Sequence, residues 1–106
     1  MAGQRKGVAM KTFISLVDYT AKGIGAIKES PTRLRMVKRL AKQLGGKVKD
    51  FYLTIGDHDL VVVYEMPDDE TAAKFLLTVG SVGAIRTKTL TALSEKQYRE
   101  VIAGLS

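Results

Sequence analysis

Apolar and polar residues recur along this chain with two different periods, and the places where the period changes outline its elements. From Lys11 to Val17 the run Lys-Thr-Phe-Ile-Ser-Leu-Val is rich in β-branched and aromatic residues and predicts a first strand. Asp18 to Gly23 reads as a loop, followed by a short helical turn over Ile24 to Lys28. Ser30-Pro31 marks a helix start, because serine accepts a bond from an orphan N–H and proline at the first position has none to lose. Leu34, Val37, Leu40, Ala41 and Leu44 then recur at three- and four-residue spacing as one buried stripe. Gly45-Gly46 ends the helix, since glycine takes the left-handed conformation cheaply.

Lys47 to Ile55 and Leu60 to Met66 predict a second and third strand joined by a tight loop, an antiparallel hairpin. Pro67-Asp68-Asp69-Glu70 places acids at the positive end of another helix, in which Ala72, Phe75, Leu76 and Val79 share a face. Ile85 to Leu93 is a fourth strand. Ser94-Glu95-Lys96-Gln97 resembles a capping box opening a final helix, with Tyr98, Val101, Ile102 and Leu105 expected inward. The order is α+β, the split βαβ or ferredoxin-like βαββαβ arrangement with an extra C-terminal helix. It favours a four-stranded antiparallel sheet with both main helices on one face.

What covers the other face is then the question. A symmetric loop over residues 56–59 would pair Ile55 with Leu60. Ile55, Leu53, Phe51, Leu60, Val62 and Tyr64 then share one side of the hairpin. Thr54, Tyr52, Val48, Val61 and Val63 take the opposite side, with Asp50 facing Glu65. A sheet with one solvated face alternates cleanly between apolar and polar. Here Leu60-Val-Val-Val-Tyr64 is apolar on both sides, and Phe13 to Val17 is nearly so. Both faces are therefore expected to be buried, and two copies stacking sheet on sheet is the economical way to do it. The expected partner is the chain itself, as a homodimer or higher homo-oligomer.

Several segments, taken in order, resemble a known family. "MKTFISLVDYT", "SPTRLRMVKRLAKQLGGKVKDFY", "GDHDLVVVYEMPDDETAA" and "GSVGAIRTKTL", spanning Met10 to about Leu93, are similar to the GYD domain, within the dimeric α/β-barrel superfamily. The family is named for a glycine followed closely by Tyr-Asp. In this chain Gly56 and Asp59 match, and His58 stands where the tyrosine would be. The resemblance implies the fold and a dimeric barrel, and it brings no established activity.

Composition narrows the class without adding chemistry. With 106 residues, 45% hydrophobic and 26% charged, the chain is expected to form one globular domain over residues 10–106. MAGQRKGVA, residues 1–9, reads as a flexible leader without a signal-peptide apolar region. No apolar run approaches the roughly 20 residues that cross a bilayer, so no membrane association is expected. The absence of cysteine excludes disulfides and thiolate chemistry, and a cytoplasmic location is the default. The net charge of +6, two of it from Arg5 and Lys6, slightly favours an anionic partner.

The single histidine lies between aspartates in Asp57-His58-Asp59. Imidazole titrates near neutral pH, which would suit a proton-transfer group, and histidine with two carboxylates offers metal ligands. Consecutive side chains rarely converge, however, so the triplet reads first as a polar turn, and no metal or cofactor is expected. Asp50 and Glu65, with Tyr52 and Thr54, would line a polar cavity between stacked sheets if directly opposed. Arg86 and Lys88, at alternate positions of one strand, share a face and could meet an anionic ligand or a partner's carboxylates. Asp18, Tyr19 and Lys22 in the first loop could gate a pocket. Gly23-Ile24-Gly25 lacks the context of a phosphate fingerprint. Arg33, Arg35, Lys38, Arg39 and Lys42 read as the solvated outer side of the first long helix.

Three functions compete. A homo-oligomer without catalysis, either structural or binding a small ligand with a slight preference for an anionic one, fits best, its biochemical role unassigned. A cofactor-independent enzyme would use His58, Tyr19 or Tyr52 for a proton, in a pocket between helices and sheet. RNA binding would follow the RRM element order, but the third strand lacks that module's stacking aromatics. Nucleic acid is accordingly not expected as a partner.

Overall fold

The computed structural model describes residues 9–106; the leader expected over residues 1–9 falls, apart from Ala9, outside the described residues. The elements follow in the order β1 (Lys11–Tyr19), α1 (Ala21–Gly25), a 3-10 turn (Ile27–Glu29), α2 (Ser30–Gln43), β2 (Lys47–Leu53), β3 (Leu60–Met66), α3 (Asp69–Gly80), β4 (Ile85–Ala92) and α4 (Glu95–Ala103). The four strands form one antiparallel sheet in the order β2-β3-β1-β4, the ferredoxin-like topology.

One face of the sheet is covered by α2 and α3. Phe13, Tyr64 and Met66 from the strands meet Ala41 of α2 and Ala72 and Phe75 of α3, with Val37, Leu40, Leu44 and Val48 packed around them. Phe13 stacks on Tyr64 with ring centroids 5.7 Å apart, and Phe75 tilts against Tyr64 at 5.1 Å. A buried phenol needs a partner for its hydroxyl. Tyr64 has one in Ser15, 2.9 Å away, and Ser15 reaches Thr89 at 2.8 Å. The serine that interrupts the apolar first strand is thus the hydrogen-bond partner that lets a tyrosine occupy the core.

The hairpin register differs from the expectation. Leu60 pairs with Leu53, not Ile55, because the connection runs over residues 54–59 and leaves Ile55 exposed. A two-residue shift preserves the faces, so Leu53, Phe51, Leu60, Val62 and Tyr64 still share the helix side. A bulge at Lys49 then adds one residue to β2. It turns Val48, expected on the opposite side, toward the core opposite Tyr64. The two-residue shift itself parts the carboxylates by setting Asp50 across from Val63, and the bulge then sets Lys47 across from Glu65. The directly opposed carboxylates do not form, and Glu65 instead lies 3.6 Å from the Lys49 ammonium.

Helix ends show two outcomes. α2 closes as expected, with Gly45 at φ +84° and the paired bonds Gly46 N–H to Ala41 C=O (2.8 Å) and Gly45 N–H to Lys42 C=O (3.0 Å). A side chain at Gly46 would collide with the Glu65 carbonyl. At the other end the serine cap is not made: the 3-10 turn runs straight into α2, so Ser30 is already helical and its hydroxyl bonds the Tyr19 phenol at 2.9 Å. α3 is capped by Asp68, which accepts from Thr71 N–H, and α4 opens with the expected Ser94–Gln97 capping box.

The final helix departs most from expectation. Tyr98, Val101, Ile102 and Leu105, expected inward, are all about half exposed or more, Tyr98 at 59%. The sheet's helix side is already occupied by α2 and α3, which leaves α4 no core of its own chain to enter.

Candidate functional site

Three regions bring chemistry-bearing residues together: the loop over residues 54–59, the sheet face opposite the helices, and a cleft beside α2.

The loop is a bracket fastened to the end of β1. Asp59 N–H donates to the Val17 carbonyl at 3.0 Å, and the Asp59 carboxylate accepts from Tyr19 N–H at 2.9 Å. Asp18 accepts from Asp59 N–H at 3.3 Å and lies 3.2 Å from His58 Nδ1. Thr54 closes the loop by donating its hydroxyl to the His58 carbonyl at 2.6 Å. Gly56, at φ +137°, supplies a backbone conformation that side-chain-bearing residues rarely adopt. Asp57 is exposed while Asp18, distant in sequence, joins the histidine, so the three consecutive side chains do not converge. Among the described residues no group of three His, Cys, Asp or Glu side chains could hold a metal ion.

On the sheet face without helices, the strand pairings align Ile14 and Leu16 of β1 with Val63 and Val61 of β3, and Leu90 of β4 beside Ile14. Tyr52, Asp50 and Glu65 share this face on the β2–β3 side. Arg86 stands across from Asp18, and Lys88 across from Leu16, on the β4 side. The apolar centre is thus flanked by charges of both signs, with Lys47 across from Glu65 toward β2 and Asp18 across from Arg86 toward β4. Thr54 is not on this face; it belongs to the loop.

Between α2 and the helix side of the sheet lies a cleft of about 660 Å³. Val17, Tyr19, Leu60, Val62 and Phe51 form its floor, and α2 together with Val79, Val82 and Ala84 forms its walls. Arg33 borders it. This guanidinium, grouped by sequence with the solvated outer side of α2, is largely covered, its side chain 27% exposed. Its Nη1 is buried without a hydrogen-bond partner, and its Nη2 reaches the exposed Glu29 carboxylate only at 3.8 Å. The signal was present in the helical period: Arg33 precedes Val37, Leu40 and Leu44 by four, seven and eleven residues, and so continues the buried stripe.

Of the other sequence candidates, Tyr19 lines this cleft, while Lys22 donates to the Val82 carbonyl at 2.7 Å. That bond and Thr20 N–H to Ala84 C=O (3.0 Å) dock α1 on the turn before β4. Gly23 is there for closeness, because a Cβ would overlap the Ala84 carbonyl.

Comparison with known proteins adds kinship to this geometry. The GYD domain model matches residues 13–102. The chain belongs to the GYD domain family. A curated relative, the "Glutamine synthetase and cystathionine beta-lyase binding protein" of Thermus thermophilus, is 34% identical over 85 residues, covering 79% of this chain and 90% of the relative. Among solved structures, a feast or famine regulatory protein from M. tuberculosis, complexed with L-methionine, superposes with a TM-score of 0.60 at 15% identity. MtbAldR superposes at 0.62 with 21% identity. The matches cover 83% and 84% of this chain but only 52% and 54% of those chains, so it spans about half the length of each. At such identities they establish the fold alone, a ferredoxin-like α+β architecture. No helix among the described residues is long and apolar enough to cross a membrane.

Proposed function

We propose that this protein is a non-catalytic, homo-oligomeric binding protein of the cytoplasm, which stacks through its bare sheet face and takes a small ligand. The observation that carries this reading is the half-buried apolar row Ile14, Leu16, Val61 and Val63 on a face that no element of the described chain covers. Leaving such a contiguous patch in water is unfavourable, and patches of this kind mark interaction surfaces. A two-fold axis along the strands sets β4 of one copy over β2 of the other, bringing Lys88 toward Asp50. The relative named for binding two enzymes and the structural neighbour complexed with L-methionine support a binding role over turnover.

Light scattering tests the assembly. The wild-type protein is expected to be a dimer or larger at micromolar concentration, and Val63→Asp to shift it to a folded monomer or to unfold it. A well-folded wild-type monomer at that concentration would overturn the reading.

A further inference from the structure

We infer that the cleft beside α2 binds an apolar carboxylic acid, its hydrocarbon body on the sheet floor and its carboxylate on Arg33. The inference deepens the binding role proposed above, and rests on it, by naming a site and a ligand class. The size is suitable, since small-molecule sites span roughly 300–1,000 Å³ and are mostly apolar with a few placed polar groups. Leu60, Val62, Val17 and Val79 provide the apolar surface, and the hydroxyls of Tyr19 and Ser30, bonded to each other at 2.9 Å, lie at the same end as Arg33.

Arg33 decides the charge of the ligand. A buried guanidinium N–H without an acceptor is costly, and a carboxylate matches the planar donor fork in a two-bond geometry. Glu29 does not fill that role: it lies 3.8 Å from Nη2, is mostly exposed and leaves Nη1 unmatched. Arg33 lines the cleft, so a carboxylate bound there would meet its guanidinium.

Octanoate and its uncharged analogue octanol test the assignment by amide chemical-shift titration of the full-length protein, with light scattering on the same samples. Octanoate is expected to bind saturably, shifting resonances around Arg33, Tyr19 and Val79, about tenfold more tightly than octanol, as a charge-assisted hydrogen bond in a half-enclosed site allows. Arg33→Met is expected to abolish that preference while leaving octanol affinity unchanged, and Arg33→Lys to restore part of it. Equal binding of the two probes by the wild-type protein would overturn the inference, as would octanoate shifts confined to the bare sheet face. An assembled protein that ignores octanoate sinks the cleft assignment alone, whereas a monomer that binds it sinks the assembly proposed above.

Discussion

On the helix-covered side of the sheet, Phe13, Tyr64 and Phe75 are packed ring against ring and even the hydroxyls of Ser15, Tyr64 and Thr89 are mutually bonded. On the other side, Ile14, Leu16, Val61 and Val63 are equally apolar but only half-buried, and charged residues of both signs flank them. The same two central strands supply both rows. What separates them is closure: a face sealed by its own chain must satisfy every polar group internally, whereas a face that the described chain leaves open can keep charges in water.

Substitutions can break that contrast. Phe75→Ala, at a residue 3% exposed, should lower unfolding free energy by about 3–5 kcal/mol, because it removes a ring from a packed core. Urea denaturation measures it. Ser15→Ala strands the buried Tyr64 hydroxyl and should cost about 1–3 kcal/mol by the same measurement. The double change Ser15→Ala with Tyr64→Phe should recover part of that loss. Arg86→Glu with Lys88→Glu, on the bare face, should weaken self-association while leaving the unfolding of the dissociated chain within about 0.5 kcal/mol, as surface changes do. Sedimentation across a dilution series separates the two effects. His58→Ala should cost under about 1 kcal/mol, since its pairing with Asp18 is partly solvated, and should leave octanoate binding in the cleft unchanged. A large loss of binding there would return His58 to the functional candidates.

The loop and the cleft differ in how far they are legible in advance. The polar triplet at Asp57-His58-Asp59 marks a turn, and the structure makes it a bracket, but its anchor Asp18 lies forty residues away and only chain folding brings it there. For the cleft, the buried period of α2 already contains Arg33, and its charge hides that from a reading based on polarity. Ser30 reads as a helix cap because sequence cannot show that a 3-10 turn runs on into α2 and leaves its hydroxyl to Tyr19.

By itself, the order of alternating and helical periods determined the α+β class, the strand and helix sequence and the two-sided apolar character of the central strands. These are local consequences of which side of a strand or helix each residue occupies. Tertiary structure alone decided the six-residue loop, whose register parted Asp50 from Glu65, the Lys49 bulge that turned Val48 inward, and the exposure of α4. Each of those depends on which surface is already occupied when an element arrives. A one-residue bulge costs so little locally that the sequence of β2 carries no sign of it, yet it reassigns every face beyond it.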